Sequence, residues 1–194
     1  MAVVGSQMRW SRAPVETLAA FMEATGIPTF VNGMARGMVD ADGPHFLNRS
    51  RKYALKNADL VLVFGTPFDF RMSYGQSEKI VAGSQSGAAG SLMLNLAAPV
   101  IHKDAKIVQV DLDGDEIGRN RTRGVEVGLV ADSGLVIEAL TAGGGAAQRA
   151  AWNVAVRADE SAKWAKMNGE IDAGAGPEDA PNPCLLYTSP SPRD

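Results

Sequence analysis

The chain has little of the material from which metal centres and redox sites are built. One residue of 194 is cysteine, Cys184, which excludes an intramolecular disulfide, and two are histidine. His45 and His102 lie far apart in sequence, so no zinc cluster is expected. Signature loops are missing as well. There is no Gly-x-Gly-x-x-Gly fingerprint, no Gly-x-x-x-x-Gly-Lys-Ser/Thr loop and no Gly-x-Ser-x-Gly elbow. Positive charge is in short supply: the formal net charge is -3, without the broad basic surface that nucleic-acid binding requires, so no nucleic-acid partner is expected. No apolar run approaches the roughly 20 residues that cross a bilayer. Met1-Ala2-Val3-Val4-Gly5 has neither the basic start nor the apolar stretch of a signal peptide. These absences together predict a cytoplasmic protein with no membrane partner.

What is present is a core. Hydrophobic residues make up 45% of the chain, enough for one sizeable domain. Ala2-Val3-Val4 reads as a strand, followed by Gly5-Ser6-Gln7 as a turn. Pro14 to Ala24 has helical spacing, with Val15, Leu18, Ala19 and Met22 on one face and Thr25-Gly26 as its cap. Ile27 to Val31 reads as a second strand ending at Asn32-Gly33, Arg49 to Asn57 as a helix, and Leu60 to Phe64 as a third strand. The stretch from Ile80 to Gly90 is rich in small residues and reads as a flexible loop. Strands follow at Ile107 to Val110 and Glu126 to Val130. Ser133 to Leu140 then reads as a helix with Leu135, Val136 and Ala139 inward. Such alternation implies an α/β fold, a Rossmann-like open parallel sheet flanked by helices. Arg149 to Met167 reads as a further amphipathic helix anchored by Trp152, Val156 and Trp164.

The residues able to carry chemistry gather at strand ends. Gly5 and Ser6 can expose backbone N–H groups where a crossover begins, a place that attracts phosphate. Asp59-Leu-Val-Leu-Val-Phe-Gly-Thr-Pro-Phe-Asp-Phe-Arg71 is an apolar run that stops at Gly65 and then offers polar groups. Gly65 and Thr66 let a ligand approach the backbone, while Asp69 and Arg71 suit hydroxyl and phosphate groups respectively. Asp111, Asp113 and Glu116 follow the next strand, where an acidic group accepts hydrogen bonds from a ribose. The alternative is that Asp111, Asp113 and Glu116 cap the following helix, as Asp does routinely. His102, beside Lys103 and Asp104, reads as a surface residue, and His45 follows Gly43-Pro44 in a loop. No nucleophile and base pair up.

Two segments carry a family resemblance: Lys56 to Arg71, and Ala105-Lys-Ile-Val-Gln-Val-Asp-Leu-Asp-Gly-Asp-Glu-Ile-Gly-Arg-Asn-Arg121, with Val127 to Ser133 as a third match in order. Over roughly residues 2 to 142 the chain resembles the central domain of thiamine-diphosphate-dependent enzymes, both acetolactate synthase-like and 2-hydroxyacyl-CoA lyase-like. The resemblance implies a truncated enzyme. In the complete enzyme, thiamine diphosphate and Mg²⁺ are held between a first domain that supplies a glutamate and a last domain with Gly-Asp-Gly, neither of which is in this chain. Gly114-Asp115-Glu116 lacks the third glycine and reads as a helix start. The fragment is therefore expected to be inactive alone, with no catalytic and no metal-binding residue of its own.

The resemblance further implies an adenine nucleotide in this domain, FAD in acetolactate synthases and ADP or the nucleotide end of CoA in the lyase and oxalyl-CoA decarboxylase branch. Its contacts would be Gly65, Asp69, Arg71, Asp111, Asp113, Glu116 and Asp132, with Gly5, Ser6 and Thr66 beside them. One departure stands out: FAD-binding members carry Gly-Ala-Arg or Gly-Val-Arg after the third strand, whereas this chain has Gly65-Thr66-Pro67. Arg49-Ser50-Arg51-Lys52 resembles the CoA-handling branch and could meet a phosphate, or could be a solvated helix start. The resemblance implies first an acetolactate synthase-like enzyme that acts on 2-oxo acids by decarboxylation and carboligation, and as the alternative a 2-hydroxyacyl-CoA lyase or oxalyl-CoA decarboxylase acting on an acyl-CoA, a transferase or lyase that assembles as a homodimer or homotetramer. A non-catalytic nucleotide-binding module is the rival reading. The expected organisation is a central domain over 1–142, a helical linker over 143–168 and a disordered remainder over 169–194. Residues 184–194 resemble translated sequencing-adaptor sequence and are expected to be non-native.

Overall fold

A computed structural model describes residues 1–40, 43, 46–75, 101–121, 124–144 and 149–173. The expectations for His45, for Ile80 to Gly90 and for the tail at 184–194 fall outside the described residues. Among the described residues there are five strands: β1 (Ala2–Val4), β2 (Thr29–Val31), β3 (Leu60–Phe64), β4 (Lys106–Asp111) and β5 (Val127–Val130). They form one sheet in the order β2-β1-β3-β4-β5, every pair parallel. A single parallel bridge from Thr29 to Phe46 extends the sheet beyond β2.

Strand side chains alternate between two cores. Val3, Val61, Val63 and Ile107 face one, with Ala54 and Leu55 of α2 (Arg51–Asn57) and Val156 of α4 (Ala150–Ala173) packed on them. Ala2, Val4, Leu62, Phe64 and Val110 face the other, beneath Leu18, Phe21 and Met22 of α1 (Thr17–Thr25) and Ile137 of α3 (Ser133–Ala142). Strands β1 and β2 and most of β3 and β4 are covered on both faces and so read as continuous apolar runs, whereas β5 at the sheet edge is exposed along its length. The fold is the α/β Rossmann-like sheet that the pattern of strands and helices predicts.

Several boundaries and faces differ from the periodic reading. Helix α1 begins at Thr17 rather than Pro14, because residues 14–16 form a turn closed by Thr17 N–H on Pro14 O at 3.1 Å. Val15 is consequently exposed, and Phe21 takes the buried place. Pro28 has no N–H to give a ladder, so β2 starts at Thr29, although the Pro28 carbonyl accepts from Ala2 N–H at 2.9 Å. Helix α3 buries Ser133, Gly134 and Ile137, while Leu135 stays 45% exposed and Ala139 is exposed. The cause is a close approach: a Cβ on Gly134 would sit 2.1 Å from Ser11 Oγ, so the glycine side of α3 is drawn onto the loop after β1. Helix α4 continues to Ala173, past the expected end of the linker at 168.

Candidate functional site

The turns at the carboxyl edge of the sheet lock into one another through glycines. Gly65 ends β3 with φ +56, and a Cβ there would lie 2.5 Å from Gln7 Cβ and 2.9 Å from Ser133 Oγ. A Cβ on Gly5, at the end of β1, would meet the Gly65 carbonyl at 2.3 Å. Gly33, after β2, leaves room for Ser6 Oγ, which accepts Met34 N–H at 3.1 Å. The space that the missing Cβ atoms leave at Gly5 and Gly65 is therefore taken by neighbouring turns of the protein.

Gln7 ties this region to β4. Its amide donates to Asp111 Oδ1 at 2.7 Å, and its carbonyl accepts Leu112 N–H at 3.1 Å. Asp113 N–H also donates to Asp111 Oδ1 at 3.0 Å. Asp111 is 1% exposed, and its second oxygen is buried with no partner, as is the hydroxyl of Ser133. Asp113 accepts Asp115 N–H at 2.9 Å and so caps the short 3-10 turn Gly114–Glu116. Glu116 pairs with Arg119, and Asp69 with Arg71 at 2.6 Å.

Asp132 is the most heavily engaged of the expected contacts. It accepts from the Ser11 hydroxyl and from the N–H groups of Arg12, Gly134 and Leu135, and so fastens the loop after β1 to the start of α3. Burial raises its pKa, but these four donors outweigh that effect and hold the carboxyl below its ordinary value. Of the residues expected from sequence, Gly5, Ser6, Gly65, Thr66 and Asp111 meet at the ends of β1, β3 and β4. Asp132 joins them through the loop after β1, and Asp113 through its N–H on Asp111. Asp69, Arg71 and Glu116 lie along the same edge in local ion pairs, within the turns that follow β3 and β4.

Beside this edge, at the end of β2, lies a cavity of about 430 Å³. Arg36, Arg49, Arg51 and Lys52 line it together with Phe30, Phe46 and Asn32, and among the described residues no carboxylate does. Arg51 spans its floor, donating to Asn32 Oδ1 at 2.8 Å and to the Arg71 carbonyl at 3.1 Å. Burial holds the Arg51 guanidinium below its ordinary pKa, and the charge of Arg36 pushes it the same way. Four cations around a partly apolar cavity make a place for an anion with a hydrophobic portion. Arg49, Arg51 and Lys52 were legible as a basic segment. Arg36 was not, because only the sheet order brings the end of β2 beside α2.

Helix α4 braces that basic segment. Glu160, 8% exposed, accepts from the N–H groups of Asn48, Arg49 and Ser50 and from the Ser50 hydroxyl at 2.7–3.0 Å. Trp164 Nε1–H donates to the same carboxylate at 2.9 Å, and the Arg49 guanidinium lies 4.9 Å from the centre of the Trp164 ring. Nothing in the sequence near Glu160 signals its grip on residues 48–50, since those partners are more than 100 residues away.

Comparison with known proteins places this geometry. Residues 1–140 match the family model "Thiamine pyrophosphate enzyme, central domain". The chain is 35% identical over 118 residues to 2-hydroxyacyl-CoA lyase 2 of Danio rerio, covering 49% of this chain and 19% of that protein. It is 34% identical over 114 residues to 2-hydroxyacyl-CoA lyase 2 of Homo sapiens, covering 57% and 17% respectively. It is also 32% identical over 143 residues to the acetolactate synthase large subunit of Mycobacterium tuberculosis, covering 74% and 21%. The matched stretches thus span about a fifth of the curated relatives' lengths. A parallel α/β sheet of this order, matched to the family model over residues 1–140, makes the chain a member of the thiamine pyrophosphate enzyme central-domain family.

Proposed function

We propose that this chain is the middle part of a longer thiamine-diphosphate-dependent lyase acting on CoA thioesters, and that it holds the adenine-nucleotide end of the substrate. The observation that carries the reading is the basic cavity, in which Arg36, Arg49, Arg51 and Lys52 surround a space with Phe30 and Phe46 in its wall. CoA presents phosphates and an adenine ring, the combination of charge and flat apolar surface that such a cavity suits. In this reading Asp113, exposed at the end of β4, would accept from a ribose hydroxyl. Thiamine diphosphate, when bound between the outer domains of the complete enzyme with Mg²⁺, supplies a carbanion-stabilising centre. The residues of this chain bind and orient, and by itself it is inactive.

A second reading is an acetolactate synthase-like enzyme of 2-oxo acids with FAD in this domain. It draws on the alignment that covers 74% of the chain. Pro67, where FAD-binding relatives would carry arginine, weighs against it. Calorimetric titration of the protein with CoA, ADP and FAD separates the two. Binding of CoA and ADP with no FAD binding is expected, and tight FAD binding without CoA binding would overturn the lyase reading in favour of the second.

A further inference from the structure

Helix α4 begins ten residues beyond the family-matched segment, at Ala150, yet it packs onto the described domain at several points. Val156 is fully buried in the core, and Trp152 stacks on Tyr53 of α2 with ring centres 6.3 Å apart. Asn153 donates to the Gly26 carbonyl and Arg149 to the Thr25 carbonyl, both at 2.9 Å. The most specific contact is Glu160. The segment it grips is also one wall of the basic cavity: the backbone of residues 48–50 faces the Glu160 carboxylate, while the side chains of Arg49, Arg51 and Lys52 line the space.

We propose that Glu160 and Trp164 are positioning residues for anion binding in that cavity, with the phosphate groups of a nucleotide as the class of ligand. The inference rests on the phosphate reading of the cavity given above. Residues 48–50 precede a helix of only seven residues, too short to hold its own entry turn in one conformation. A single carboxylate that accepts three backbone N–H groups and a hydroxyl fixes that turn. Trp164, bonded to the same carboxylate, also presents its ring to Arg49. Both side chains therefore lower the ordering cost that a ligand would otherwise meet on collecting these cations, which is how a supporting shell raises affinity without touching the ligand. Only the phosphate-dependent part of binding should depend on them.

The test compares ADP with adenosine by calorimetry in the unaltered protein, in E160Q and in W164F, with inorganic phosphate and CoA as further probes. The unaltered protein is expected to prefer ADP. In E160Q that preference should fall by about tenfold, since one charged acceptor of several hydrogen bonds is replaced by a neutral one, with adenosine affinity unchanged. Amide hydrogen exchange at residues 48–50 should quicken in E160Q without any ligand. W164F keeps every backbone bond of Glu160 and should fold normally. It is expected to show a smaller fall, and its altered Arg49 contact should appear as a shift of the Arg49 guanidinium NMR signals. An ADP preference that persists undiminished in E160Q would overturn the positioning role and leave the cavity reading intact. No ADP preference in the unaltered protein would overturn both.

Discussion

Replacing Gly65 by alanine measures how tightly the carboxyl edge is interlocked. Two costs add at this position. The backbone has φ +56, a left-handed conformation that costs a residue with a Cβ about 1–2 kcal/mol. The new methyl group would lie 2.5 Å from Gln7 Cβ and 2.9 Å from Ser133 Oγ. Relieving that overlap costs about 1–3 kcal/mol, because Gln7 is held by Asp111 and Leu112 and cannot move without losing them. The expected loss is about 2–5 kcal/mol, read as a lower urea midpoint at unchanged slope. In a chain of this size it corresponds to a fall in Tm of roughly 4–20 °C. Gly118 is the control, with φ +71 and nothing within 4 Å of its Cβ position. Gly118→Ala should show the left-handed cost alone, so the difference between the two variants isolates the crowding. Equal losses at the two glycines, or a loss below about 0.5 kcal/mol at Gly65, would refute the interlocked edge.

Further outcomes follow from single groups. Asp132→Ala removes a helix cap worth about 0.5–2 kcal/mol and the part-buried bond from the Ser11 hydroxyl, worth about a further 1 kcal/mol. A denaturation loss under about 1 kcal/mol would contradict the clasp. Glu160, whose burial raises its pKa while its hydrogen bonds from Arg49, Ser50 and Asn48 lower it by more, stays ionised below the ordinary 4.5. Its contribution is complete above that value and lost as pH falls through the depressed folded value, so the acid limb of the stability curve should flatten in E160Q. When the polypeptide is produced as residues 1–194, its Met1 ammonium is pushed down from 8.0 to about 6, chiefly by burial, with Asp59 opposing and Arg149 adding to the fall. The unfolded chain then binds the extra proton between these values, so stability should rise by about 2 kcal/mol from pH 6 to pH 8. An N-terminally extended chain, in which a peptide N–H replaces the ammonium that donates to the Leu60 carbonyl, should lose that slope. An unchanged slope in the extended chain would refute the assignment.

The central strands were legible because parallel strands buried on both faces leave an unbroken apolar signature, and Leu60 to Phe64 appears with the expected bounds. The helix faces were less so. Leu135 and Ala139 carry the better apolar spacing, but α3 turns Gly134 toward Ser11 instead, a contact across the fold that no local period encodes. Trp164 was read as an apolar anchor and is 38% exposed, where it serves Glu160 and Arg49. At the candidate site, the acidic residues after β4 were visible, while their hydrogen-bonded state was not. Asp113 caps the next turn, as the alternative reading of the residues allowed, and Asp111 holds Gln7 from a loop more than 100 residues earlier. Arg36 and Glu160 escaped for the same reason: each gains its meaning from a partner that only the sheet order or the docking of α4 supplies.

The proposed nucleotide site is the central claim, and a crystal structure of the protein grown with CoA tests it directly. Phosphate oxygens are expected at charge-assisted hydrogen-bond distance, about 2.7–2.9 Å, from Arg36, Arg51 or Lys52 in the cavity at the end of β2. CoA bound elsewhere on the protein, with that cavity holding only solvent, would contradict it.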